Sequence, residues 1–289
     1  MPPYNTLVGG FAQTQLWRPY PTGPGHTVVG EILVYKDLRS PELGNSRDIL
    51  VYLPPSYRKS SRRYPVLYMH DGQNIFDEAT SYAGEWQVDE SMQGLSHEGL
   101  EVIVVGIPNI GVGRLEEYSP FRDPRHGGGK GSKYLKFITQ TLKPFIDNEF
   151  RTIPDREYTG VMGSSMGGFI SLCAYYLHPD VFGLAGVLSP AFWFADGAIY
   201  GFVERARQVP GRLYMDVGFY EITLSQVSNH RYLEGVRRMH RLLLRKGWRP
   251  GQDYLYLEDP EGAHNEGHWA RRFPEAARFL FAGRSDQQV

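Results

Sequence analysis

Two rhythms of apolar and polar residues alternate along the chain. Short β-branched or aromatic runs bounded by Gly, Pro, Asn or Asp read as strands, and longer runs with apolar residues every three to four positions read as helices. "TVVGEILVYK" (27–36) and "RDILVYLP" (47–54) form an opening antiparallel pair. "YPVLYMH" (64–70) is a third strand, closed by the turn residues "DGQN". "EVIVVGIP" (101–108) is apolar at nearly every position, as a strand covered on both faces must be. "EYTGVMG" (157–163), "LAGVLSP" (184–190), "GRLYMDVG" (211–218) and "DYLYLED" (253–259) complete the set. Between them, helices are expected over 132–150, after Ser165, over 229–247 and over 265–281. Pro144 should kink or restart the first, and Gly247 should cap the third. The alternation implies a mostly parallel, eight-stranded sheet flanked by helices on both faces, an α/β class.

Residues 1–26 are rich in Pro, Gly and Tyr without periodicity and read as a surface arm. Residues 27–282 read as one domain, because no linker or repeat divides them, and 283–289 as a frayed tail.

Composition narrows the function classes. A formal net charge of -1 argues against a general nucleic-acid binder. The single cysteine, Cys173, excludes an intrachain disulfide framework and a multi-cysteine zinc site. No apolar run approaches the ~18 residues of a membrane helix, and no secretory signal is visible in "MPPYNTLVGGFAQ". The expectation is a cytoplasmic protein, unless an export signal preceded this sequence.

The chemistry concentrates in "REYTGVMGSSMGGFISL" (156–172). For a G-x-S-x-G motif centred on Ser164, the flanking positions are Met162 and Met166. Centred on Ser165 they are Gly163 and Gly167, so only Ser165 fits. A nucleophile on a sharp strand-to-helix turn holds a strained backbone, and chain segments pass so close that flanking Cβ atoms would clash. The turn also sets the Met166 N–H at a helix N-terminus, where it can hold an oxyanion. A Gly-rich βα connection without chemistry would look much the same.

A serine hydroxyl needs a base, and the base an orienting acid, in the chain order Ser, Asp/Glu, His. Of five downstream histidines, His178 reads as a helix cap, and His230 and His240 as solvated on a charged helix. His264, in the loop "EGAHNEGHW" before the last helix, is favoured over His268. A His264/His268 metal pair with Glu266 lacks both the H-E-x-x-H pattern and a third ligand, so no metal is expected. For the acid, Glu221 in the loop after "RLYMDVG" is favoured over Asp216, which falls inside the strand. The second oxyanion donor is expected from "MHDGQN" (69–74), where Gly72 turns the backbone and nominates the Gln73 N–H. "HGGG" (126–129) follows the wrong strand, and "GGGKGS" fails as a phosphate loop. Residues 122–132 read as a mobile surface loop.

With these residues placed, the chain resembles the "putative esterase" family of α/β-hydrolases, which includes enterochelin (ferric-siderophore), feruloyl and acetylxylan esterases. It is most similar to the enterochelin-esterase-like branch. The motifs that carry the likeness are "YMHDGQNIFD" (68–77), "EWQVDE" (85–90), "VVGIPN" (104–109), "RLEEYSP" (114–120), "GSSMGG" (163–168), "LYMDVGFYE" (213–221) and "GAHNEGHW" (262–269). The resemblance implies an α/β-hydrolase fold, Ser165 as nucleophile, His264 as base and Glu221 as acid. Phe219 and Tyr220 replace the Thr-Lys/Arg usual before that glutamate. It places Arg114 near the cleft, able to meet an anionic or catecholate substrate, unless a structural pair with Glu117 claims it. Asp71 and Trp193 are further substrate-binding candidates, and "PAFWF" (190–194) and "GFY" (218–220) would suit a bulky or aryl acyl group. The implied activity is hydrolysis of a small-molecule carboxylic ester through an acyl-enzyme, without a cofactor. Acyl transfer on the same fold and a non-catalytic binding relative are the alternatives.

Overall fold

The computed structural model describes residues 16–221 and 227–284. The first fifteen residues of the expected arm and the last five of the expected tail lie outside the described residues. Nine strands form the main sheet: β1 (Arg18–Pro19), β2 (Glu31–Ser40), β3 (Asn45–Leu53), β4 (Val66–His70), β5 (Ile103–Ile107), β6 (Thr159–Ser164), β7 (Leu184–Leu188), β8 (Arg212–Tyr220) and β9 (Tyr254–Ala263). Their order is β1-β2-β3-β5-β4-β6-β7-β8-β9. The junctions from β1 to β5 are antiparallel, and those from β5 to β9 are parallel. The architecture is that of an α/β-hydrolase.

The strand beyond the expected eight is β1, contributed by the segment read as a loose arm. Its pairing is two residues long, but the adjacent Trp17 supplies packing. That ring stacks on Phe145 at 5.8 Å and meets Phe150 edge-on at 4.9 Å.

Strands β4 to β7 are buried along their whole lengths, because helices cover both faces. Alternate residues feed two cores. Val66, Tyr68, Val105 and Val161 face one, and Leu67, Met69, Val104 and Met162 face the other. Helices α2 (Gly131–Lys136), α3 (Lys143–Glu149), α4 (Met166–Leu177), α5 (Ala198–Arg205) and α6 (Asn229–Arg245) pack on the first face. Helices α1 (Val88–Ser96) and α7 (Glu266–Phe281) pack on the second.

Pro144 acts as expected, but by a specific route. The chain between α2 and α3 widens into a π-helical stretch, Phe137–Leu142, and the α-helix restarts with Pro144 in its first turn. The proline has no N–H, and the wider turn makes room for its ring. Gly247 caps α6 in the left-handed region at φ 95°.

Two expectations change. Residues 122–132 contain a tied-down hairpin, Arg122–Asp123 against Gly127–Gly128. The Asp123 carboxylate accepts from the N–H groups of Arg125, His126 and Ala195, which fixes the hairpin to the chain after β7. His240 is half-buried, stacked on Tyr256 at 4.1 Å and bonded to the Tyr254 hydroxyl at 3.0 Å. Its helix is charged, but this residue lies on the inward-turning side.

Candidate active site

Six parallel strands run the same way, so their carboxyl ends open on one edge of the sheet. Asp71 follows β4, Asn109 lies just beyond β5, Ser165 follows β6, Ser189 follows β7, Glu221 follows β8 and His264 follows β9. Residues far apart in sequence are thereby gathered at one rim.

Ser165 sits between β6 and α4 with φ 57° and ψ −120°, a conformation costing about 1–3 kcal/mol. Its N–H is held by the carbonyls of Leu188 and Ser189 at 3.0 and 3.1 Å, and its carbonyl accepts from Ala191 N–H at 3.1 Å. The neighbouring β7 loop therefore holds the strained turn. The steric demand differs from the simple motif reading. A Cβ on Gly163 would meet the Gly167 backbone carbon at 2.9 Å, and one on Gly168 would meet the Leu188 carbonyl oxygen at 2.9 Å. A Cβ on Gly167 would meet the His70 Cβ at 3.4 Å and Asp71 Oδ2 at 3.5 Å, both ordinary contacts.

Glu221 and His264 meet directly, with Glu221 Oε2 2.5 Å from His264 Nδ1. Two features bring them together. Gly218 and Gly262 pack backbone to backbone at the ends of β8 and β9, where a Cβ on either would collide. The register also shifts between Gly218 and Tyr220, which turns the β8 end toward the His264 loop. Glu221 is fully buried. Its Oε1 accepts from Gly218 N–H and Ser189 Oγ, both at 2.6 Å, and its own N–H donates to Asn229 Oδ1 at 2.6 Å. The His264 ring lies edge-on to Trp269 at 5.0 Å and to Tyr232 at 5.3 Å.

Asp216 occupies a different environment. It is bonded by Tyr214 Oη at 2.9 Å and Ser189 N–H at 3.0 Å, and paired with Arg272 at 3.0 Å. Burial pushes its carboxyl up to about 6, against the pull of Arg272 and these hydrogen bonds. Glu221, and not Asp216, lies against the His264 ring. His268 lies in the first turn of α7, with its ring against Arg271.

Gln73 lies in the short helical turn after β4, and Met166 is the first residue of α4. The left-handed conformation in the β4 loop falls on Asp71, with φ 56°, and not on Gly72. Gln73 is anchored by its side chain, whose Oε1 accepts from Asn109 N–H at 3.1 Å.

Arg114 pairs with Asp71 and not with Glu117. Its Nε and Nη2 reach the two Asp71 oxygens, each at 2.7 Å, and Asn109 Nδ2 adds a third bond at 2.7 Å. Glu117 is taken by the buried Arg47 at 2.9 Å. Burial would raise the Asp71 carboxyl, but Arg114 and Asn109 hold it below the ordinary carboxylate range. Glu266, in the first turn of α7, accepts from Asn74 Nδ2 at 3.0 Å, and burial pushes it up to about 7. Trp193 is half-buried, with its ring 5.5 Å from His126, whereas Phe192 and Phe194 pack into the core around Phe169. Tyr220 is exposed.

Ser189, Trp269, Tyr232 and Arg272 were not singled out from sequence, and Glu266 was weighed only beside a metal pair. Ser189 is the most telling omission. "LSP" reads as the end of an apolar strand, and nothing local shows that four chain segments converge on its hydroxyl and backbone. Among the described residues, one group of side chains could hold a metal ion: Glu85, Asp89 and Glu90, with oxygens within 4.8 Å of one another at the start of α1. It does not include His264 or His268. No helix among the described residues is long and apolar enough to cross a membrane.

The geometry and the comparisons with known proteins converge. Residues 40–280 match the family model described as "Putative esterase". The chain belongs to this family. It is a carboxylic ester hydrolase of α/β-hydrolase fold. The protein YbbA of Bacillus subtilis is 28% identical over 246 residues, covering 82% of this chain and 93% of YbbA. Among solved structures, an IroE-like serine hydrolase from Shewanella oneidensis superposes with a TM-score of 0.69 at 22% identity, covering 85% of this chain and 79% of that one. The enterobactin esterase FES of Shigella flexneri superposes with a TM-score of 0.66 at 16% identity, covering 88% of this chain and 60% of that one.

Proposed function

We propose that the enzyme cleaves its ester through an acyl-enzyme on Ser165, with His264 as general base and Glu221 as the orienting acid. The observation that carries this reading is the 2.5 Å contact between the buried Glu221 carboxylate and His264 Nδ1, at the sheet edge that presents the strained Ser165. A proton on Nδ1 facing Glu221 leaves Nε2 free to accept one.

Ser165 Oγ attacks the acyl carbonyl as its proton passes to His264. The N–H groups of Gln73 and Met166 hold the oxyanion. The tetrahedral intermediate collapses, and His264 gives the proton to the departing alkoxide oxygen. Water then attacks the acyl-enzyme, giving a proton to His264, and collapse returns that proton to Ser165 Oγ and frees the acid.

The surroundings narrow the substrate. The Arg114 charge is matched by Asp71, and Glu266 lies nearby, so this wall offers hydrogen bonds rather than a free cation. It suits a hydroxyl-bearing ester of siderophore, feruloyl or acetyl-sugar type better than a simple anion. Trp193 and Tyr220 are the accessible aromatics for an aryl acyl group.

The test is hydrolysis of p-nitrophenyl acetate, with fluorophosphonate labelling. Wild type should turn over and be labelled at Ser165, and Ser165→Ala should fall by about 10⁶ in kcat, to background. Equal activity of the two proteins would refute the mechanism. A panel of the three ester classes then ranks substrates by kcat/KM.

A further inference from the structure

We propose that Ser189 is a positioning residue of this site: its hydroxyl fixes the direction of the hydrogen bonds that hold Glu221 as an acceptor for His264. The inference rests on the triad reading above. It follows from counting the donors and acceptors around one oxygen. A serine hydroxyl has one hydrogen to give and two lone pairs. Ser189 Oγ receives Trp269 Nε1–H at 3.1 Å and Arg272 Nη2–H at 3.0 Å, and neither donor can act as an acceptor. Both lone pairs are occupied, so the one hydrogen has to go elsewhere. The remaining neighbour is Glu221 Oε1, at 2.6 Å.

The consequence passes along the chain. Glu221 Oε1 already accepts from Gly218 N–H, so with Ser189 it receives two hydrogens and cannot carry one itself. Oε2 then faces His264 Nδ1 at 2.5 Å and accepts the ring proton. The tautomer that keeps Nε2 free is thus set from the far side of the acid, by a residue on β7 that is itself pinned by donors from α7. Asp216 balances the Arg272 charge at 3.0 Å, which lets a guanidinium serve as a buried donor. The Ser189 backbone is committed too. Its N–H goes to Asp216, its carbonyl accepts from Tyr232 Oη at 2.7 Å, and its φ of 38° is a left-handed value held by these bonds. The titratable and charged groups facing Glu221 are His264 from the β9–α7 loop, Asp216 on its own strand, Tyr232 from α6 and, through Ser189, Arg272 from α7.

The test is a double-mutant cycle of Ser189→Ala with Glu221→Gln, read as kcat/KM on p-nitrophenyl acetate. A hydrogen bond to a buried carboxylate corresponds to about a 10- to 100-fold effect, so Ser189→Ala should lose that much in the wild-type background. In the Glu221→Gln background the same substitution should change activity less than about 3-fold, because the two act as one unit. Losing a donor makes Glu221 a stronger base, so the acidic limb of the Ser189→Ala profile should move to higher pH. Trp269→Phe keeps a ring beside His264 and removes only the N–H; it should weaken activity about 2- to 10-fold and covers the case in which Ser189→Ala does not fold. Equal losses in both backgrounds, or a loss without movement of the acidic limb, would reduce Ser189 to a packing role. The low-field proton resonance of His264 Nδ1–H, assigned by its absence in Glu221→Gln, should shift in Ser189→Ala. That readout needs no turnover. If Ser165→Ala keeps full activity the mechanism fails, while an unshifted resonance overturns the Ser189 proposal by itself.

Discussion

Asp216, in the middle of β8, and Glu221, just past its end, are both fully buried carboxylates, yet their partners give them different work. Glu221 is served by one backbone N–H and one hydroxyl and turns its second oxygen to His264. Asp216 is committed to Arg272, Tyr214 and the Ser189 backbone. Substituting each therefore produces a different failure. Glu221→Gln should keep the fold and lower kcat by about 10³–10⁴, because an amide cannot accept on the side where its own N–H₂ points. Asp216→Asn should leave the buried Arg272 guanidinium with only its longer pair to Asp259, at 3.9 Å, and cost about 3 kcal/mol of unfolding free energy. Urea melts and steady-state kinetics on both variants separate the two roles. A stable, inactive Asp216→Asn with an active Glu221→Gln would reverse the assignment of the acid. Sequence could rank the two residues by loop position, but the decisive fact is which carboxylate touches the imidazole. That contact depends on Gly218 lying against Gly262 across two strands.

Individual elements were legible where a local pattern sets them and illegible where a partner does. β5 announces itself by continuous apolar residues, and Pro144 marks the break that becomes the π-helical stretch. β1 and the hairpin at 122–128 carry no such signal, since they exist through Trp17 stacking and the Asp123 cap. Helix α1 shows the same limit for charge. "EWQVDE" carries three carboxylates in six residues, but Asp89 is fully buried. Its Oδ2 accepts from Val29 N–H at 2.7 Å, while its Oδ1, Glu85 Oε1 and Glu90 Oε2 lie buried without a hydrogen-bond partner among the described residues. Burial, and then the neighbouring Glu90, push the Asp89 carboxyl up to about 9. A raised carboxyl favours the folded state fully below the ordinary carboxylate range and loses that contribution as pH rises toward 9. Asp89→Asn should accordingly stabilise the protein at about pH 8, by about 1–3 kcal/mol, and make little difference near pH 4. Thermal melts across that range check it, and a variant less stable than wild type at pH 8 would show that the charge has a partner.

At the scale of the whole molecule, the Asp77 carboxylate ties the chain before β2 to the loop after β4. Asp77 lies in the loop after β4, downstream of Asp71 and Gln73. Its oxygens are met by His26 Nδ1 at 2.7 Å, Tyr20 Oη at 3.0 Å and Thr27 N–H at 3.2 Å. Thr27 Oγ in turn accepts from Glu78 N–H, and Thr80 Oγ donates to the Gln73 carbonyl at 2.7 Å. The segment at 20–27 thus braces the loop that carries a proposed oxyanion donor. Burial would raise the Asp77 carboxyl, but His26 and the surrounding donors hold it below its ordinary range. A depressed carboxyl stabilises the fold above its unfolded-state value and loses that contribution as pH falls through the folded value. Asp77→Asn should therefore cost about 1–3 kcal/mol near pH 7, with the gap to wild type closing as the pH approaches about 2. Because the same loop places Gln73, kcat should fall while labelling of Ser165 by a fluorophosphonate continues. Urea unfolding at both pH values tests the first half, and kcat with labelling tests the second. A variant destabilised to the same degree at both pH values would locate the effect in packing rather than charge. Unchanged kcat would show that the oxyanion loop holds its shape without the brace.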